Sequence, residues 1–407
     1  MKNQSRGWQG LALAGGLMVA AATAGAEGVS DGVVKIGVLT DMSGVYADIG
    51  GAGAVIATKM AVEDFGGKVL GKPIEVISAD HQNKADIGAG KAREWFDTQK
   101  VDVIVELLNS GVALAVQDVG KEKNRVVITT GGGSSRLTGD KCSPTGIHWV
   151  YDTNALAQGT GSAVVKQGGD TWFFLSADYA FGAALEKDTT EVLKANGAKV
   201  VGGVKHPLNT ADFSSFLLQA QASKAKIIGL ANAGTDTQNA VKQAAEFGIV
   251  KGGQNLAGLL VFLTDVHSLG LEKAQGLYVT EAWYWDANDE TRKWAQRFYE
   301  RHKRMPTSVQ AGLYSAVTHY LQAVQAAGTD DAPPVMAKMR ATPVNDFFAK
   351  NATLREDGLL THDMYLYQVK KPGESKREWD YYTLKATIPA DKAFKSLAQS
   401  DCPLVKK

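Results

Sequence analysis

The chain has 407 residues, with 44 Lys+Arg against 43 Asp+Glu and a formal charge of +1 when the histidines are neutral. A balance of this kind, without a basic cluster, excludes nucleic acid and anionic membrane surfaces as the main partner. The length predicts two domains rather than one.

The chain opens with "MKNQSRGWQGLALAGGLMVAAATAGAEG". Lys2 and Arg6 precede an apolar stretch from Leu11 to Ala22, and Ala24-Gly25-Ala26 supplies small residues for cleavage, so residues 1–26 read as a secretory signal peptide cut before Glu27. The apolar core is too short to span a bilayer. It holds no cysteine for a lipid anchor. The mature protein is expected to be exported and soluble. Cys142 and Cys402 are the only cysteines. In an exported chain they are expected to pair as a disulfide, the other reading being two free thiols.

Strand-like runs follow at "VVKIGVLT" from Val33, "PIEVISAD" from Pro73, "VDVIVELL" from Val101 and "RVVITT" from Arg125. They are nearly continuous in apolar residues, as parallel strands covered on both faces are. Helical stretches lie between them, roughly 47–65, 84–99 and 110–123. The pattern restarts at Thr171 with strand, tyrosine- and glycine-bearing loop, helix and glycine stop, and further strands begin near Ala225, Leu256 and Gly276. The sequence therefore predicts an α/β protein of two doubly wound, Rossmann-like lobes. The stretch after 286 is too short for a third lobe and is expected to complete the first two, so the chain crosses between them more than once and makes a hinge. The expected division is 27–149 with 282–355 in one lobe and 150–281 with 356–407 in the other.

Two such lobes set their strand C-termini on either side of a cleft, where open α/β sheets bind ligands. Two polar strand tips belong there. In "VELLNSGVALAVQDV", Asn109 or Ser110 caps a helix that begins near Gly111. In "RVVITTGGGSSRLTG", Gly131, Gly132 and Gly133 precede Ser134. A helix N-terminus with a serine hydroxyl suits a small anion, and glycines let backbone groups approach a ligand. Neither tip fits a P-loop, and the nearest Rossmann fingerprint, from Gly50, lacks its third glycine. Tyr151 is expected near a crossing, where it and Asp152 either reach the ligand or cap the helix from Asn154. Asn232 ends the strand "IIGLAN" and is a further candidate from the second lobe. In "EAWYWD", Trp283, Tyr284 and Trp285 are expected mainly to pack the hinge. The chain has no G-x-S-x-G elbow, no H-E-x-x-H and no close His/Cys cluster. No enzymatic activity, cofactor or metal is therefore expected.

The stretches "VKIGVLTDMSGVYADIGGAG", "IEVISADHQNKAD", "NSG", "GGGSSRLTG", "LSADYAFG" and "AQGLYVTEAW" resemble the periplasmic leucine/isoleucine/valine-binding family, the substrate-binding proteins of ABC importers. The resemblance covers essentially the whole mature chain. It implies a type I periplasmic binding fold, a periplasmic location, a monomer, and a membrane permease with its ATPase subunits as partners. It places the ligand carboxylate on Ser110 and Gly131 to Gly133, with Asn109 and Ser134 beside them, and covers the ligand with Tyr46 from the first lobe and Tyr179 or Phe181 from the second. Members that bind α-amino acids hold the ammonium with a second-lobe carboxylate, in a segment that corresponds here to "NLAGLLVFLTD", which has no acid before Asp265. An unpartnered buried ammonium is costly. The expected ligand is therefore a small carboxylate without an α-amine, an aromatic or 2-oxo acid, with an amino acid as the other possibility. A ligand-binding sensor or receptor module of the same fold is the alternative function.

Overall fold

The computed structural model describes residues 28–406, so the expected signal peptide lies outside it. The first sheet contains β1 (Val34–Thr40), β2 (Lys68–Val69), β3 (Lys72–Asp80), β4 (Val103–Glu106), β5 (Val126–Thr129) and β6 (Gly146–His148). Its order is β2-β3-β1-β4-β5-β6, parallel except for β2. Every residue of β4 and β5 is buried, which is why these runs are apolar without alternation. Helices α1 (Gly51–Asp64), α2 (Ala85–Asp97) and α3 (Ser110–Lys123) return the chain between strands. The strand expected over 101–108 ends at Glu106. Glu106 and Leu107 have φ of +87° and +59°, and this left-handed pair breaks the pleat.

Beyond β6 the chain enters the second lobe through α4 (Thr153–Leu156), a π-helical turn (Ala157–Gly161) and α5 (Ser162–Lys166). Strands β7 (Thr171–Ala177), β8 (Lys199–His206), β9 (Ile227–Ala231) and β10 (Asn255–Gly258) form a parallel sheet in the order β10-β9-β7-β8. Helices α6 (Ala180–Ala195), α7 (Ser214–Ala222) and α8 (Gly234–Glu246) connect them, and α9 (Leu263–Leu269) and α10 (Leu271–Ala274) follow β10. The glycine stops after α1 and α6 take the left-handed backbone that ends a helix, Gly66 at φ +99° and Gly197 at +80°.

After β11 (Tyr278–Glu281) the chain returns to the first lobe as α11 (Asp289–His302), α12 (Ser308–Ala327) and α13 (Ala332–Ala341). Arg297 pairs with Asp64 at 2.7 Å and Arg301 with Glu63 at 2.7 Å, which ties α11 to α1. The chain then forms a short hairpin of β12 (Thr353–Leu354) and β13 (Leu360–Thr361), anchored beside β6 by the His148 N–H donating to the Gly358 carbonyl at 2.8 Å. Finally β14 (Met364–Val369) and β15 (Tyr382–Ile388) join β11 in an antiparallel sheet. The chain thus passes between the lobes three times. Trp283, Tyr284 and Trp285 are buried at the second passage, where the Trp283 N–H bonds the Phe347 carbonyl and the Tyr284 and Trp285 donors share that of Trp379.

Cys142, in the β5–β6 connection, is bonded to Cys402 across 260 residues of sequence. The bond draws the tail that leaves the second lobe after β15 back onto the first lobe. A crosslink over so long a span restricts the unfolded chain strongly. Reduction, or Cys142→Ser, is expected to lower the unfolding free energy by about 2–4 kcal/mol. Urea denaturation with and without reductant measures it, and an unchanged midpoint would contradict it.

Candidate ligand-binding site

Both sheets reverse strand order where their C-terminal ends face each other, at β1/β4 in the first lobe and at β7 in the second. In the first lobe Asp41 shapes the loop after β1. Its carboxylate accepts the N–H groups of Gly44 at 2.7 Å and Tyr46 at 2.9 Å and the Asn83 amide at 2.6 Å, and so presents the Tyr46 ring to the cleft. In the second lobe, Tyr179 and Phe181 sit at the turn from β7 into α6. The hydroxyls of Tyr46 and Tyr179 meet at 2.7 Å. One of them donates to the other, and the recipient keeps its own proton for a third partner. A second contact between the lobes runs from the Thr235 N–H to the Val45 carbonyl at 3.2 Å.

The sequence candidates divide into three groups. Tyr46, Gly131, Gly133, Tyr151, Tyr179 and Phe181 come together on one cleft. Ser110, Gly132 and Ser134 stand directly behind it. There the Ser110 hydroxyl accepts the Ser134 N–H at 3.1 Å, and the buried Ser134 hydroxyl has no protein partner. Asn109 and Asn232 are committed elsewhere. The Asn109 side chain caps α3 by accepting from Gly111 at 2.9 Å and Val112 at 3.1 Å, so these two N–H groups are not offered to a ligand. Asn232 binds the His206 ring at 3.0 Å and the Thr237 hydroxyl at 2.7 Å.

The three glycines serve close packing, and none has a positive φ. A Cβ at 131 would lie 2.3 Å from Leu108 Cδ1, one at 132 would lie 2.8 Å from the Leu107 carbonyl, and one at 133 would lie 2.8 Å from the Tyr151 ring. The Gly131 backbone is also engaged. Its N–H donates to the Glu106 carbonyl at 3.2 Å, and its carbonyl accepts the Tyr151 hydroxyl at 2.6 Å. Asp152 caps α4 through the Ala155 N–H at 2.8 Å.

Sequence reasoning missed Ile49, Leu108, Ala233, Leu260 and Phe262, which complete the walls. Leu260 and Phe262 lie in "NLAGLLVFLTD", the segment without an acid before Asp265, where the signal was an aromatic immediately ahead of a helix. Asp265, further along, takes the Phe262 N–H at 2.9 Å and the Gln238 amide at 2.7 Å, and does not line the cleft. No charged side chain lines the walls among the described residues. Burial raises the pKa of Tyr46, Tyr151 and Tyr179, so all three keep their protons. The space left between the walls is about 10 Å³, room for about one water.

The family described as periplasmic binding protein matches residues 33–375. A curated relative, the Leu/Ile/Val-binding protein homolog 4 of Brucella abortus (strain 2308), is 26% identical over 252 residues, which cover 58% of this chain and 59% of the relative, less than two thirds of its length. A crystal structure of a periplasmic binding protein from Burkholderia mallei has a TM-score of 0.91 and 59% identity, covering 92% of this chain and 100% of that one. A branched chain amino acid ABC transporter periplasmic ligand-binding protein from Burkholderia xenovorans LB400 has a TM-score of 0.81 and 42% identity, over 92% of this chain and 100% of the other. A solute binding protein of an ABC transporter from R. palustris, solved in complex with benzoate, shares the fold with a TM-score of 0.80 at 21% identity, over 92% and 100% of the two chains.

Tyr46→Phe removes the hydroxyl bond to Tyr179, worth about 1 kcal/mol, and is expected to weaken ligand binding roughly fivefold by calorimetry. An unchanged affinity would show that the pair does not hold the closed form. Gly131→Ala forces a methyl against Leu108 and is expected to destabilise the protein by about 1–3 kcal/mol in urea unfolding.

Proposed function

The chain belongs to the periplasmic binding protein family, and on that premise we propose that it is the substrate-binding protein of an ABC importer, capturing a small carboxylate without an α-amine by closure of its lobes. Aromatic acids are the favoured class, and 2-oxo acids come next. One observation carries the choice: the second-lobe wall is Tyr179, Phe181, Ala233, Leu260 and Phe262, with no acid among them to hold an ammonium. Flat apolar ligands fit such a wall, and an α-amine buried against it would lack a counter-charge. The carboxylate would lie on the first-lobe side, against the Ser110 and Ser134 hydroxyls. The R. palustris protein that binds benzoate shows that this fold accommodates an aromatic acid.

Closure follows from differential binding. The ligand touches the first lobe when the cleft is open and both lobes when it is shut, so it shifts the population toward the shut form. A permease that reads the shut form would then take delivery. No helix among the described residues is long and apolar enough to cross a membrane, and a periplasmic carrier working with a separate membrane permease accords with this.

Thermal unfolding of residues 27–407 against benzoate, 4-hydroxybenzoate, phenylpyruvate, leucine and valine tests the proposal. At a thousandfold excess over Kd a true ligand adds about 4 kcal/mol, which raises the melting temperature by several degrees. The acids are expected to shift it and the amino acids are not. A shift with leucine or valine alone would overturn the ligand assignment.

A further inference from the structure

β4 ends in an acid, Glu106, that stands between Val105 and Leu107 in sequence and beside Leu39 and Thr129 in the sheet. Glu106 is fully buried, and its Oε2 accepts the Leu108 N–H at 3.1 Å. Its Oε1 makes no hydrogen bond of good geometry; the nearest polar group is the Thr40 hydroxyl, which accepts the Gly51 N–H at 3.1 Å and whose approach to the Glu106 carboxyl partly offsets the effect of burial. Oε1 occupies the space on the side-chain side of two glycines, since a Cβ built at Gly50 would stand 2.7 Å from it and one at Gly131 2.8 Å. Gly131 itself edges the cleft. The backbone is held unusually to achieve this, with Glu106 and Leu107 both at positive φ, a conformation that costs energy in residues other than glycine and clusters at functional positions. An unsatisfied buried carboxyl oxygen is itself costly.

We propose that Glu106, as a neutral carboxyl, donates a hydrogen bond from Oε1 to the carboxylate of the bound ligand and thereby selects acids that lack an amine. The inference rests on the carboxylate reading above. With no Lys, Arg or His among the residues lining the cleft, a buried carboxylate needs neutral donors, and an ionised Glu106 beside it would repel it. A carboxyl kept neutral by an apolar site can serve as such a donor. Burial raises the Glu106 pKa to about 8, and the nearby Asp41 charge adds to the rise. The charged and titratable groups facing it are Asp41 from the end of β1 and Tyr151 from the first crossing, and burial keeps the Tyr151 proton in place. Two further buried acids act on the cleft tyrosines: Glu281, its pKa raised to about 8 and its carboxyl bonded to the Ser308 hydroxyl, on Tyr151, and Asp236, raised to about 6, on Tyr46 and Tyr179. Glu106→Gln separates the Glu106 titration from theirs.

Calorimetric titration of benzoate, 4-hydroxybenzoate, phenylpyruvate and leucine into the wild type and Glu106→Gln, from pH 6 to 9.5, tests the proposal. In the wild type, acid binding is expected to hold steady up to about pH 8 and to weaken roughly tenfold for each unit above it, as the proton is lost. Glu106→Gln keeps a donor without titrating, so its affinity is expected to stay flat across the range. Wild-type affinity that is flat to pH 9.5 would overturn the role of Glu106 while leaving the carboxylate reading intact, whether or not the variant folds. An identical pH-dependent loss in both proteins would do the same. Leucine bound by the wild type, more tightly as pH rises, and lost in Glu106→Gln would make Glu106 an ammonium partner and overturn both readings. Failure of every acid to bind at any pH would also overturn both.

Discussion

The hydroxyl bond between Tyr46 and Tyr179 joins the two lobes across the cleft, beside the contact from the Thr235 N–H to the Val45 carbonyl, and the proposed closure depends on it. Each tyrosine stands on the first turn after the central strand of its sheet, β1 or β7. Parallel strands direct their C-terminal loops to one edge, and a reversal of strand order opens a crevice there. Three passages of the chain then set the two edges face to face. The Cys142–Cys402 bond adds a fourth connection by returning the tail to the first lobe.

Between the tyrosines the walls carry rings, aliphatic side chains and backbone, with no fixed charge. Closure over a polar ligand therefore removes it from water without offering an ion pair. Hydroxyls remain as donors. Ser110 keeps a proton after accepting from Ser134, Ser134 has no partner of its own, and one member of the tyrosine pair can still donate. Glu106 adds a group whose charge depends on its surroundings. On the proposed reading, a neutral cleft of this kind would distinguish ligands by the charges it cannot compensate, by desolvation rather than by attraction.

Much of the architecture was legible because buried parallel strands leave an unambiguous mark. The runs at Val33, Val101, Arg125 and Thr171 are apolar on both faces, and glycine stops separate the helices that join them. The crossings were legible only as a consequence of length, since 286–407 could not fill a lobe of its own. The candidate cleft could be read in part at its loop tips. Tyr46, Gly131, Gly133, Tyr151, Tyr179 and Phe181 share the cleft, whereas Asn109 and Asn232 answer local needs, capping α3 and bracing His206. An amide at a strand end looks the same in sequence whether its bonds run to a helix or to a ligand. The glycines carried a signal for close approach, but not for what approaches, which here is Leu108, the Leu107 carbonyl and the Tyr151 ring. Glu106 was visible as the one acid in "VIVE", yet its meaning depends on a backbone twist that no residue pattern announces.

A crystal structure of the protein with the tightest-binding aromatic acid tests the account most directly. The predicted result is closed lobes, the carboxylate within hydrogen-bond reach of Ser110, Ser134 and Glu106 Oε1, and the ring between Phe181 and Phe262. A ligand bound outside the cleft, or one whose polar end faces Phe262 while its ring packs on Glu106, would contradict it.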